Sequence, residues 1–264
     1  MDDNSNDRDR GWSMDFNAWW RDLRVAAAFL TRLPIRSEEP AGLAVLARAA
    51  RCFPLVGLGI GLAGALVYAV GSELALPPLP ATVLAVAAVV LLTGALHEDG
   101  FADTVDGFGG GRDRDHKLRI MRDSRIGTYG VIALVFALGA QTAALSAMAE
   151  SSDVAAALML GHAVSRALLV AVMHLEPPAR SDGLAVSAGR PSQPTTLWAL
   201  GIGGIVALIF AGFDGIVASA IGAGVAWAIA RLARQQIGGI TGDVLGAVQQ
   251  ATVVAMLLTL VALD

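Results

Sequence analysis

Seven stretches of the chain are almost continuously apolar: about 53–70, 81–96, 128–149, 154–175, 197–211, 216–230 and 244–263. A helix needs about 20 apolar residues to cross the hydrocarbon layer upright. The pattern therefore predicts an all-α, polytopic membrane bundle of about seven transmembrane helices, within a range of six to eight. The stretches 197–211 and 216–230 are short and parted by Gly212-Phe213-Asp214-Gly215, so this pair also fits a re-entrant hairpin.

Ahead of the first stretch, Phe16, Trp19, Trp20, Leu23, Ala27 and Leu30 recur at helical spacing between Met14 and Leu33, with Arg21, Asp22 and Arg24 on the other side. This predicts an N-terminal amphipathic helix lying in the membrane interface and anchored by its tryptophans. A helix packed on the bundle gives the same pattern. Residues 1–13 hold little to bury and read as a disordered cytosolic tail, leaving 14–264 as a single integral-membrane catalytic domain. Gly59-x-Gly61-x-x-Gly64 follows no strand and sits in apolar surroundings. Gly57, Gly61 and Gly64 are therefore read as a close-packing helix face, not a nucleotide loop. Such a face also makes a homodimer plausible.

Composition agrees with a membrane protein: 55% of the 264 residues are hydrophobic and only 16% charged. The single cysteine, Cys52, excludes an intrachain disulfide, and no His/Cys spacing forms a zinc site. The net charge of −4 conceals an uneven placement. With the N-terminus cytoplasmic, the connections at 71–80, 150–153 and 212–215 and the C-terminus fall outside and contain no Lys or Arg. Every Lys and Arg except Arg166 lies in the inward segments, as the positive-inside rule requires. The polar stretch His97–Gly130 then faces the cytosol.

That stretch holds most of the candidate chemistry. Asp99, Asp103 and Asp106 at i, i+4 and i+7 share one face of a continuous helix that carries on from the second span. Hard oxygen ligands of this kind suit one or two Mg²⁺ or Mn²⁺ ions, the alternative being a solvated acidic cap on the span. Gly107 and Gly109 to Gly111 form a flexible turn, and Arg112, Arg114, Lys117, Arg119, Arg122 and Arg125 follow as a cationic helix. Metal-binding acids beside phosphate-binding bases are the parts of a pyrophosphate site. Asp123 is a further candidate acid, and Asp243 is either a helix N-cap or a further metal ligand. Within the spans, His162, Ser165 and Arg166 share a helical face, which marks either a functional or a structural polar pair. Confinement of these groups to one helix disfavours a small transporter. Asp103-x-x-Asp106-Gly107 matches only the start of the CDP-alcohol phosphotransferase signature, which leaves that class as the alternative enzyme.

Several motifs together resemble the cobalamin (5′-phosphate) synthase family. They are Phe29-Leu30-Thr31-Arg32-Leu33-Pro34, Phe53-Pro54-Leu55-Val56-Gly57, His97-x-Asp99-Gly100-x-Ala102-Asp103-Thr104-x-Asp106-Gly107, Arg112-Asp113-Arg114, Ile120-Met121-Arg122-Asp123-Ser124-Arg125, Ser165-Arg166 and Thr241-Gly242-Asp243. The resemblance implies a multi-pass enzyme of the bacterial inner membrane with its site facing the cytosol. It would join adenosylcobinamide-GDP to α-ribazole or its 5′-phosphate with Mg²⁺ and release GMP, a phosphotransferase reaction involving no nucleic acid. It implies catalytic roles for His97, Asp99, Asp103, Asp106 and Asp123, metal binding by Asp99, Asp103, Asp106 and Asp243, and substrate binding by Arg112, Arg114, Lys117, Arg119, Arg122, Ser124, Arg125 and Arg166. Two places depart from the family pattern. Glu98 stands where the family is usually apolar, and Gln249 and Gln250 stand where it tends to carry glutamates, so a carboxylate role there is either lost in this chain or moved to another residue such as Glu98.

Overall fold

The computed structural model describes residues 15–35, 43–148, 150–183, 186 and 188–264. The tail expected over 1–13 lies outside them. The described elements are helical: α1 (Phe16–Leu30), α2 (Leu43–Ala49) with a 3-10 turn at Ala50–Cys52, α3 (Phe53–Glu73), α4 (Pro78–Thr93), α5 (Leu96–Gly110), α6 (Arg114–Ile120), α7 (Thr128–Ala147), α8 (Ser151–Leu175), α9 (Gln193–Ile237) and α10 (Gly242–Leu263). By length and composition, five helical stretches can each cross a membrane, and a sixth crossing arises if the bent pair α4 and α5 forms one span.

The 45 residues of α9 are about twice what one crossing needs. The helix breaks at Ala211 and Gly212, whose backbones leave the helical region. A methyl placed on Gly215 would collide with the carbonyl of Ala207. In a continuous helix, residues eight apart are separated by about 12 Å along the axis. The chain therefore folds back at this point, where the sequence pattern placed its hairpin, and α9 is two apolar arms.

Most enclosed of the candidate spans is α8, which packs against α3, α9 and α10. Gly57 and Gly61 let α3 approach the α8 backbone at His162 and Leu158, and Gly64 meets Val89 of α4. The glycine face is thus used within the chain and provides no argument for a dimer.

Three expectations are corrected. The glycines after Asp106 are not a flexible turn: Gly107, Gly109 and Gly110 lie in the last turn of α5, and only Gly111 follows it. The second apolar stretch does not run on into the acidic one: Gly94 and Ala95 both adopt left-handed backbone (φ 65° and 56°), and α4 and α5 meet at 90°. The Arg32 side chain lies against Gly94 where any Cβ would stand, and the Arg32 N–H donates to the Leu92 carbonyl at 2.8 Å, so the bend is braced. Asp22 is not on the polar outer face of α1. It is fully buried, and the guanidinium groups of Arg48 and Arg51 donate to it at 2.8 Å. Arg51 also lies 4.1 Å over the Trp19 ring, and Trp19 meets Trp198 edge-on. This ion pair docks α1 on the bundle, while Phe16 and Trp20 stay exposed, available to a membrane interface.

The connections gather at two ends. At one, Arg114 donates to the carbonyls of Ile237 and Ala179, and residues 177–179 pair with Ile240. At the other, Met148, Asp153, Phe210, Asp214 and Asp264 line a common hollow. These are the two groups that the charge count assigned to opposite sides.

Candidate active site

The α5 and α10 helices cross at glycine. A methyl on Gly246 would stand 2.8 Å from the His97 carbonyl oxygen, and one on Gly100 would stand 2.8 Å from the Asp243 Cα, so the two backbones approach about as closely as helices can. The crossing brings Asp99 and Asp103 of α5 beside Asp243 in the first turn of α10, and Asp103 feels the charges of Asp99, Asp243 and Asp106. Asp99 is exposed, Asp103 and Asp243 are half-buried and Asp106 is buried. Among the described residues, no three acidic or histidine side chains converge closely enough to hold a metal ion in this arrangement.

Asp106 has a structural task as well. Its two oxygens accept the backbone N–H groups of Gly127 (2.7 Å) and Gly130 (2.9 Å), supplying the N-terminus of α7 with the acceptor that a helix start lacks. Gly127 and Gly130 are required there because a Cβ at either would collide with that carboxylate.

Next to the acids lies an open cleft of about 790 Å³, lined by Arg114, Arg119, Arg122 and Arg180 together with Asp115, Ser181 and Asp182. Arg180 joins the two regions: its guanidinium lies 3.7 Å from Asp243 and 3.8 Å from Asp182. Arg122 pairs with Asp182 at 2.6 Å. The sequence reading missed Arg180, a lone arginine in the Pro177-Pro178-Ala179-Arg180-Ser181-Asp182-Gly183 connection, whose only signal was its place on the cationic side.

Not all the candidates meet. Lys117 bonds Gln236, and Arg112 and Ser124 are exposed outside the cleft lining. Arg125 pairs with Asp123 at 2.8 Å, and this hydrogen-bonded guanidinium holds the Asp123 carboxyl down at about 2. Asp113 caps α6, where the His116 N–H keeps its carboxyl below the usual range.

Arg166 lies apart from the cleft, fully buried, with one guanidinium nitrogen against the His162 ring (3.2 Å) and carbonyl (3.1 Å). Its charge interacts with Glu98 of α5. Glu98 accepts from the Gln250 amide at 2.8 Å; Gln250 also donates to Gln249 and accepts from Gln141, and Gln249 donates to Ser165. The positions that depart from the family pattern on α5 and α10 are therefore in direct contact. His97, also buried, lines a separate apolar cavity and lies near enough to Arg166 and His162 to feel their charges.

The sequence profile of the family described as Cobalamin-5-phosphate synthase matches residues 22–261. The chain belongs to this family. Its relatives include an adenosylcobinamide-GDP ribazoletransferase from Bradyrhizobium diazoefficiens, 50% identical over 238 residues that make up 90% of this chain and 92% of the relative. Proteins of the same name from Mesorhizobium japonicum and Ralstonia nicotianae are 44% and 41% identical, over 90% and 92% of this chain and 91% and 95% of their own. No solved structure matches.

Proposed function

We propose that the chain is an adenosylcobinamide-GDP ribazoletransferase of the bacterial inner membrane, working at its cytosolic face with Mg²⁺. The observation that carries this reading is the continuity of the Asp99, Asp103 and Asp243 group with the arginine-lined cleft through Arg180. The donor set fits the metal: the acids are hard oxygen ligands, and Asp103 sees three other carboxylates, whose repulsion a divalent cation would relieve. Asp99, Asp103 and Asp243 would hold it once their side chains close on the ion from the wider spacing they have here, with Asp106 contributing through its charge. When bound, Mg²⁺ would draw negative charge off the pyrophosphate oxygens.

The rest falls to the chain itself. Arg114, Arg119, Arg122 and Arg180 bind the guanylate half of the donor and neutralise the charge that builds on it. A ribose hydroxyl of the acceptor attacks the phosphorus attached to cobinamide, the bridging P–O bond breaks, and GMP leaves with its electron pair. A carboxylate of the acidic group accepts the hydroxyl proton. Positioning and charge neutralisation provide most of the rate.

Purified protein given adenosylcobinamide-GDP, α-ribazole and Mg²⁺ releases GMP only when all three are present. Asp103→Asn abolishes release while the protein remains inserted. Release of CMP from a CDP-alcohol donor, with none of GMP, would refute the proposal.

A further inference from the structure

The backbone around Arg180 is firmly placed, yet its guanidinium is poorly matched by its partners. The loop that carries it is pinned to the start of α10: the Ala179 N–H donates to the Ile240 carbonyl at 2.8 Å, and the Ile240 N–H to the Pro177 carbonyl at 2.9 Å. A methyl on Gly239 would collide with that Pro177 carbonyl. Gly183, in left-handed backbone at φ 90°, turns the loop over the guanidinium, where a Cβ would stand 3.0 Å from Arg180 Nε. So held, the Arg180 side chain is only 15% exposed. Its Nη2 lies 3.7 Å from Asp243 Oδ2 and its Nε 3.8 Å from Asp182 Oδ1, near enough for charge attraction and too far for hydrogen bonds. The same oxygens are hydrogen-bonded elsewhere, Asp243 Oδ2 to the Thr241 hydroxyl at 3.1 Å and Asp182 Oδ1 to Arg122 at 2.6 Å. Arg180 Nη1 is buried with no hydrogen-bond partner among the described residues. The planar fork of an arginine suits two oxygens of one phosphate, and here neither carboxylate receives it.

We infer that Arg180 has two alternative partners, the Asp243 carboxylate and a phosphate of the guanylate donor, and that it competes with the divalent cation for the first. The inference rests on the proposed function and deepens it, by making metal binding and donor binding depend on one side chain. The guanidinium and a metal ion are both cations drawn to Asp243, so each weakens the other's hold there. A phosphate in the cleft relieves the competition, because it offers Arg180 the hydrogen bonds that Asp182 and Asp243 do not. Arg122 is differently placed: it is hydrogen-bonded to Asp182, and its charge reaches Asp243 without an ion pair between them.

The test uses the full-length protein in detergent with Mn²⁺ as the probe, its free concentration read by electron paramagnetic resonance. Without nucleotide, Arg180→Gln binds Mn²⁺ about tenfold more tightly than wild type, within the usual range of site-to-site coupling. Arg122→Gln gains less than about threefold, as expected of a charge acting from a distance. At saturating GMP the wild type and Arg180→Gln bind Mn²⁺ within about twofold of each other, because the phosphate has already drawn the guanidinium from Asp243. GMP alone, measured by equilibrium dialysis without metal, binds Arg180→Gln more weakly than wild type. Arg180→Met, which removes the charge without introducing an amide, gives the same readings and guards against a folding defect in the first variant. Unchanged Mn²⁺ affinity in both Arg180 variants overturns the inference. So does a gain that persists at saturating GMP, or an equal gain in Arg122→Gln, since either describes a general field and not an exchange of partners. Any of these results alongside Mg²⁺-dependent GMP release by the wild type defeats this inference alone. The expected Mn²⁺ shifts with no GMP release under any condition defeat the functional proposal alone, and absence of Mn²⁺ binding in every protein defeats both.

Discussion

Replacing Glu98 by Gln changes one charge and almost no volume, yet the structure assigns it a large cost. Arg166 is fully buried, and among the described residues Glu98 is the acid whose charge reaches it. The amide introduced by Glu98→Gln would keep a hydrogen bond to Gln250 by presenting its carbonyl oxygen, so the change isolates the charge. No ion pair joins the two groups directly, so the cost is that of a through-space charge interaction, about 2–3 kcal/mol at an effective dielectric of about 20 over roughly 6–8 Å. At about 2–4 °C per kcal/mol for a chain of this size, the unfolding midpoint falls by roughly 4–12 °C. The five tryptophans give the readout, as intrinsic fluorescence during heating in detergent. The second arm is Glu98→Gln with Arg166→Met, which removes both charges and recovers most of the loss. A Glu98→Gln protein that unfolds at the wild-type temperature would refute the pairing. So would a double variant no more stable than Glu98→Gln alone.

Other outcomes follow from the same geometry. Asp106→Ala leaves the N–H groups of Gly127 and Gly130 without their carboxylate, a loss of about 1.5–3 kcal/mol for each charged hydrogen bond; Asp106→Asn, which keeps an acceptor, loses less in the same thermal assay. Gly246→Ala puts a methyl 2.8 Å from the His97 carbonyl oxygen and forces α5 away from α10; turnover falls more than tenfold while the protein still inserts, as membrane fractionation and GMP release together would register. The Asp123–Arg125 pair has a clear pH sign. Its carboxyl is depressed to about 2, so the contribution is complete above the unfolded value of about 3.9 and is lost as pH falls through the folded one. Asp123→Asn therefore leaves the shape of the pH–activity profile between pH 5 and 8 unchanged, and a new inflection in that window would contradict the assignment.

The membrane fold was legible because apolar runs and charge asymmetry are collective signals spread over many residues. The hairpin in α9 was marked by Gly212 and Gly215, and the close-packed glycines of α3 by their spacing. The bend at Gly94 and Ala95 was hidden, since it needs a non-glycine residue in left-handed backbone and a brace from Arg32, more than 60 residues before it in sequence. Asp22 misled because helical periodicity assigns a charged residue to the wet face, whereas two arginines on the following segment pull it inside. At the site, the acids of α5 and the cations after them were visible as local runs. Arg180 and the contact of Glu98 with Gln250 depend on tertiary approach between distant segments, which no local pattern carries.

The wiring of Glu98 also sets the order in which the protein is completed. Its hydrogen-bond partner Gln250 lies 152 residues downstream, on the helix that also supplies Asp243 and the glycine crossing. At synthesis rates of about 5–20 residues per second, the ribosome needs roughly 8–30 s to make that stretch. Throughout that interval α5 sits in the nascent bundle with its Glu98 carboxylate unmatched by Gln250 and its aspartates separated from Asp243. Docking of α10 ends both conditions at once, so maturation of the site and satisfaction of the polar core are one event.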